Sequence, residues 1–249
     1  MDITAFTRGR RWALLAVVPL VAACGGDPGA RLDGPPPSLE PGSRLVITTG
    51  DGVSLRPADG DRAVTGTGTD SRWSRRGDTW VLRLSCPRHG GQDEGPCPRM
   101  PTIGVPAGVH VTVDARNAGI DVAGVAAGLD LTTVDGDVTV TRSGLGDATV
   151  RLTTRNGSVR AGTLSSAGLH AGTVNGDVTL SGATSPSRLT AATTNGSVRV
   201  TLPHDAPAYT VEAATRNGRT SVDIPPATEG GGHAMTLTSV NGDVSATRG

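Results

Sequence analysis

The chain has 249 residues, with 23 arginines, no lysine, 23 acidic residues and a formal net charge of zero. Aromatic residues make up 2% of it, so any core must be built from Val, Leu, Ile, Ala and Thr methyls. Balanced charge leaves no electrostatic footprint for nucleic acid or for an anionic membrane surface, and neither is expected as a partner.

Residues 1–23 read as a leader. Arg8, Arg10 and Arg11 precede the apolar run Trp12 to Ala23, which is shorter than the roughly 20 residues a membrane-spanning helix needs. A basic start, a brief apolar stretch and small residues at its end mark a secretory signal peptide. The ending Val21-Ala22-Ala23-Cys24 resembles the bacterial lipobox, which implies cleavage before Cys24 and attachment of lipid to its thiol. Several acyl chains on one residue hold a protein stably on a bilayer. The expected location is therefore the outer face of a bacterial cell membrane, with the membrane as partner through the lipid. Loss of three arginines and Asp2 with the leader leaves 20 Arg against 22 acids, a net charge of −2. Basic residues that are all Arg, beside abundant Ala, Gly, Pro and Thr, point to a GC-rich genome such as an actinomycete's.

Residues 24–42 are rich in Gly and Pro, a composition that buries no core and serves as a tether. Residues 43–104 read as an irregular N-terminal β segment. Leu45-Val-Ile-Thr-Thr, Gly-Asp-Gly and Val53-Ser-Leu form a strand–turn–strand pattern. Further on, Trp80, Leu82 and Leu84 alternate with Val81, Arg83 and Ser85. Arg72, Arg75 and Arg76 beside Trp73 and Trp80 would suit contact with a wall polymer or lipid headgroup, and Arg76-Gly77-Asp78 reads as a hairpin turn. Cys86 and Cys97 flank a polar loop, for which a disulfide is the favoured reading in an oxidising compartment. The alternative, zinc held by Cys86, His89 and Cys97, lacks a fourth ligand; no metal and no cofactor is expected.

From residue 105 to 249 one unit repeats. Its members are Thr133-Val-Asp-Gly-Asp-Val, Thr154-Arg-Asn-Gly-Ser-Val, Thr173-Val-Asn-Gly-Asp-Val, Thr193-Thr-Asn-Gly-Ser-Val, Thr215-Arg-Asn-Gly-Arg-Thr and Ser239-Val-Asn-Gly-Asp-Val. The turn pairs Asp135-Gly136, Asn156-Gly157, Asn175-Gly176, Asn195-Gly196, Asn217-Gly218 and Asn241-Gly242 follow one another at 21, 19, 20, 22 and 24 residues. A fixed period near 20 residues means stacked repeats. Apolar residues alternate on both sides of each turn, as with Leu129 and Leu131 before, and Val138 and Val140 after. One unit cannot bury that face alone, whereas stacked neighbours make a continuous core.

Two all-β architectures satisfy the pattern. Asn-Gly favours tight hairpins, which would give an antiparallel meander or sandwich. Near-constant unit length favours a single-stranded, β-helix-like solenoid of about six to seven coils, with equivalent strands pairing in parallel. Asp137, Ser158, Asp177, Ser197, Arg219 and Asp243 follow the turn glycines. No two carboxylates are adjacent in that series, as expected if these positions stack at about 4.8 Å. Asn residues stacked in the same way would form a hydrogen-bonded ladder. The solenoid is the preferred reading, with the turn residues structural.

The sequence Val105-Pro-Ala-Gly-Val-His-Val-Thr-Val and the recurring Thr-x-Asn-Gly-Asp-Val resemble the putative-adhesin family of bacterial β-strand-repeat proteins, a domain of unknown function. The resemblance covers about Val105 to Gly249, more weakly from Leu45, and implies a solenoid-like body in an envelope protein. Residues 105–249 are thus expected to form the β-repeat solenoid.

No catalytic motif is present: Gly-x-Ser-x-Gly, His-Glu-x-x-His and phosphate loops are missing. Asp135, Asp137, Arg155 and Asp177 are the residues a carbohydrate-cleaving β-helix would use, and an envelope polysaccharide-active enzyme is the alternative function. Calcium wants six to eight oxygens, which turn aspartates alternating with Ser or Arg do not supply. A small-ligand sensor would need a deep pocket. The expectation is a non-enzymatic cell-envelope lipoprotein that displays a β-repeat domain for adhesion, binding or structural support. Its further partners would be an envelope polymer or protein, or a second copy joined through the strand edge at the end of the chain.

Overall fold

A computed structural model describes residues 31–32, 36–66, 70–85, 100–182, 185–227 and 232–249. Cys24, Cys86 and Cys97 lie outside the described residues, so the expected lipidation and disulfide sites have no structural account. The strands are β1 (Arg31–Leu32), β2 (Arg44–Thr49), β3 (Val53–Pro57), β4 (Val64–Thr65), β5 (Asp70–Arg76), β6 (Thr79–Ser85) and β7 (Thr102–Val105). Then come β8 (His110–Asp114), β9 (Ile120–Ala123), β10 (Gly128–Thr132), β11 (Val138–Thr141), β12 (Thr149–Thr153), β13 (Val159–Leu164) and β14 (Gly168–Asn175). The last are β15 (Val178–Gly182), β16 (Arg188–Asn195), β17 (Val198–Leu202), β18 (Thr210–Asn217), β19 (Thr220–Asp223), β20 (Ala234–Asn241) and β21 (Val244–Arg248).

Each turn pair is a corner between two sheets, not a hairpin. The strand before a corner joins an 11-stranded sheet, and the strand after it joins a facing 10-stranded sheet. Equivalent strands of successive units pair in parallel and in step, so Leu131 lies beside Leu152 and Val138 beside Val159. Period-two alternation then turns one apolar side of every strand inward. Leu129, Leu131, Val138, Val140, Val150, Leu152, Val178 and Leu180 are all buried between the sheets. Each such side chain contributes about 1.5–3 kcal/mol relative to exposure, and the fold is the β-solenoid that the repeat period implies.

The stack does not follow chain order at either end. Coil β2/β3, first in sequence, lies between β6/β7 and β8/β9. At the other end β20/β21 inserts between β16/β17 and β18/β19. The spatial series is therefore β6/β7, β2/β3, β8/β9, β10/β11, β12/β13, β14/β15, β16/β17, β20/β21 and β18/β19. The segment Leu45–Leu55 that reads as strand–turn–strand is thus one more coil, and the chain's last strand pair is internal.

The two ends differ. At the β6/β7 end the seven-residue strand β5 and the two-residue strands β1 and β4 extend the sheets in antiparallel fashion, and Trp73 is buried against the core there. At the other end β18 and β19 are the outermost strands of their sheets among the described residues.

Candidate functional site

The corners form three polar columns along the stack. In the first, a hydroxyl two residues before the Asn or Asp donates to the corner carbonyl of the coil below. Thr133 Oγ1 donates to Ala118 O, Thr154 to Gly136 O, Thr173 to Gly157 O and Thr193 to Gly176 O, each at 2.8 Å. Ser239 Oγ to Gly196 O and Thr215 Oγ1 to Gly242 O continue the column at 2.8 Å. All but Thr215 are buried, where an unpaired polar group would be costly.

The second column is the expected amide ladder. Asn156 Nδ2 donates to Asp135 Oδ1 at 2.7 Å. Asn175 to Asn156, Asn195 to Asn175, Asn241 to Asn195 and Asn217 to Asn241 then repeat the same bond at 2.8 Å. Every donor points toward the same end, and Asp135, which only accepts when ionised, terminates the ladder.

The third column follows the glycines, and its spatial order is Asp137, Ser158, Asp177, Ser197, Asp243, Arg219. Carboxylates alternate strictly with other residues. Asp137, Asp177 and Asp243 each accept the backbone amide of the next coil, from Ser158, Ser197 and Arg219 respectively, at 2.8 Å. Asp137 also pairs with Arg160. Burial pushes the Asp137 carboxyl up, but the Ser158 amide and the Arg160 guanidinium outweigh it and hold the group below the ordinary carboxylate range.

Close approach at the corners explains the glycines. Gly136, Gly157, Gly176, Gly196 and Gly242 have φ between 141° and 155°, a region that L side chains rarely occupy. A Cβ on Gly176 would lie 2.1 Å from Gly157 O. The structure thus brings the sequence-predicted turn residues together in register. Sequence reasoning missed the hydroxyl column, although its signal, a Thr or Ser two positions before every Asn or Asp, is visible in the repeat.

The other candidate residues do not converge. Arg155 is exposed, while Asp135, Asp137 and Asp177 are engaged within the columns. His110, His170, His204 and His233 sit in different parts of the chain, and His89 lies outside the described residues. Burial, reinforced by the charge of Arg151 and opposed by that of Asp130, lowers the affinity of His170 for a proton. Among the described residues no three His, Cys, Asp or Glu side chains are grouped to hold a metal ion. A cavity of about 10 Å³ beside Leu164, Leu180 and Leu202 has room for about one water. Arg76-Gly77-Asp78 lies at the β5–β6 turn, and Arg75 stacks over the Trp80 ring at 5.3 Å. Trp73 faces the core, which removes it from any polymer-binding face.

The model of the Toastrack DUF4097 family matches residues 48–247. The chain belongs to the Toastrack DUF4097 family. The match reaches well before Val105, so the Toastrack domain takes in the out-of-order coils at both ends of the stack. No curated protein matches the chain. Similar solved structures include a putative cell adhesion protein from Clostridium sporogenes, with 10% identity over 86% of this chain and 97% of that one and a TM-score of 0.30. A putative adhesin from Bacteroides fragilis shows 12% identity over 84% of this chain and 94% of that one, with a TM-score of 0.41.

Proposed function

We propose that this Toastrack protein is an exported cell-envelope lipoprotein whose solenoid is a non-catalytic display body for adhesion or binding. The observation that carries the reading is the use of the corner side chains. Asp135, Asp137 and Asp177, the carboxylates that a polysaccharide-active enzyme would aim at substrate, are engaged with the Asn156 side chain and with backbone amides along the stack. Such an arrangement supports rigidity and presentation. The leader and Val21-Ala22-Ala23-Cys24 support anchoring through lipid. The tether is shorter than the Gly/Pro composition of residues 24–42 implies: Arg31–Leu32 pairs with β5 and Leu39 is buried in the core, which leaves residues 24–30 as spacer.

Metabolic labelling of the full chain with an alkyne fatty acid in a bacterial host tests the anchor. Label and membrane sedimentation are expected for the native chain, and both are expected to vanish with Cys24→Ser. Label that persists in Cys24→Ser would overturn the assignment. Co-sedimentation of the full chain in detergent with purified cell-wall polymer tests binding. Retention without shortening of the polymer is the expected result, and release of soluble sugar fragments would point to an enzyme instead.

A further inference from the structure

The end of the stack formed by β18 and β19 is unfinished. Inner coils bury their inward residues completely: Met235, Leu237, Val244 and Ala246 of the neighbouring coil are at most 1% exposed. In the end coil, Val211 and Ala213 are half-buried, Thr220 is exposed and Val222 is 41% exposed. Those four residues point into the core, because their register partners Met235, Leu237, Val244 and Ala246 do. The core simply stops there. Pro226 makes one parallel bridge to Tyr209, just before β18; the eight residues of β18 itself have no strand on their outer side among the described residues.

We infer that a second copy of this chain completes the stack, pairing β18 with β18 across a two-fold axis at Ala214. Three features lead there. First, the opposite end reverses strand direction: β5 runs antiparallel to β6 and is partly covered by β1 at Trp73 and Ser74, and β4 runs antiparallel to β7, so that end does not continue the parallel register of the stack. Head-to-tail growth is thereby disfavoured, and contact between like ends gives a closed pair. A two-fold axis across the stack reverses strand direction, so the new pairing is antiparallel.

Second, backbone geometry fixes which groups are free. Thr210 N donates to His233 O on the β20 side. Amides alternate in direction along an extended strand, so the N–H and C=O of Val211, Ala213 and Thr215 point outward. With Ala214 on the axis, Ala213 of one copy faces Thr215 of the other as a hydrogen-bonded pair, and Ala214 faces itself as a close non-hydrogen-bonded pair.

Third, that register matches charge. Glu212 and Arg216 project from the outer face of β18, both exposed and neither in an ion pair among the described residues. Each lies opposite the other's counterpart across the axis, giving two cross-strand ion pairs at the separation where side chains approach most closely. Centring on Glu212 or on Arg216 would instead place like charges face to face. The half-exposed Val211, Ala213 and Val222 become internal at the same time.

The paired bodies would carry their β1 strands at opposite outer ends, about 100 Å apart at about 4.8 Å per strand. This last consequence rests on the lipid anchor of the preceding section: with each anchor near β1, the pair joins two surfaces and makes adhesion homophilic.

Cysteine cross-linking of the full chain in detergent tests the pairing independently of the anchor. Under mild oxidation Ala214→Cys is expected to give a dimer band absent from the unmodified chain, since non-hydrogen-bonded partners lie within disulfide range. Thr210→Cys, far from its own counterpart, is expected to give none. Equal cross-linking of both variants, or of neither, overturns the register. Charge reversal supplies the second arm. Glu212→Arg and Arg216→Glu are each expected to weaken dimerisation about tenfold by sedimentation, and an equimolar mixture of the two is expected to recover it. A mixture no better than either variant alone would refute the pairing, and recovery excludes misfolding as the cause of the single-variant losses.

Discussion

Replacing Gly176 by Ala tests the corner geometry most directly, because its effect contrasts with that of Gly172, four residues earlier and inside β14. The backbone at Gly176 has φ of 149°, and holding a side-chain-bearing residue there costs about 1–3 kcal/mol. The added Cβ would also sit 2.1 Å from Gly157 O, roughly 1 Å inside ordinary contact, so the corner must lift away from the coil below. That movement strains the Asn175–Asn156 amide bond and the Thr173 bond to Gly157 O, both at 2.8 Å. Each such bond contributes about 1 kcal/mol. The expected loss for Gly176→Ala is about 3–5 kcal/mol. At Gly172 the nearest atom to a Cβ is Ala192 O at 3.8 Å. There Gly→Ala is expected to be neutral or stabilising by up to about 1 kcal/mol, through lower unfolded-state entropy. Urea unfolding followed by far-ultraviolet circular dichroism measures both. Equal midpoints for the two variants would refute the close-approach argument.

Thr173→Val keeps the shape but deletes the hydroxyl that caps Gly157 O, and is expected to cost about 1–3 kcal/mol by the same assay; Thr173→Ser should stay near wild type, since Ser239 makes the equivalent bond. The Asp137 carboxyl is held low in the folded state, so its contribution is present above the unfolded carboxylate value and is lost as pH falls through the folded one. Urea midpoints of Asp137→Asn should accordingly fall less steeply on acidification than those of the native chain; identical slopes would exclude this role. Burial pushes the hydroxyl of Tyr209, the chain's one tyrosine, up to about 12, and it donates to Pro186 O at 2.6 Å. Ultraviolet titration should show no phenolate step near 10 while the fold persists, and the stability this group supplies disappears as pH rises beyond its unfolded value.

The solenoid was legible because its evidence is local and repeated. Spacing of 19 to 24 residues between turn glycines, apolar alternation on both sides and separated carboxylates all follow from parallel stacking at strand distance. The order of the coils was not legible from those features, because the units at Asn217 and Asn241 fit the same register equally well. Burial separates them. An inner coil packs neighbours on both sides, and β20/β21 supplies Met235, Leu237, Val244 and Ala246 for that place. The Asn217 unit carries Thr220 where the others carry a buried Val after the corner, and this irregularity is the mark of an end coil. The return connection agrees: β19 to β20 takes residues 224–233, longer than any connection between adjacent coils from β8 to β17, the longest of which is 142–148. A longer segment is what stepping back by one coil requires.

Rearranging the coils also explains the polarity of the columns. In chain order the third column reads Asp137, Ser158, Asp177, Ser197, Arg219, Asp243; in spatial order Asp243 precedes Arg219, and the alternation becomes complete. Each carboxylate then has a non-carboxylate above it whose backbone amide it accepts, so like charges never adjoin. The amide ladder obeys the same logic. Asp135 ends it at one side because an ionised carboxylate needs no acceptor beneath it. Asn217 stands last at the other side, its amide donor used on Asn241 and its carbonyl oxygen facing away from the stack. The columns are therefore closed toward the β6/β7 end and open toward β18/β19, the same asymmetry that the core shows in Val211, Ala213 and Val222. Backbone, side-chain ladder and apolar core all leave their unused capacity at one place, which locates further association at that end of the solenoid.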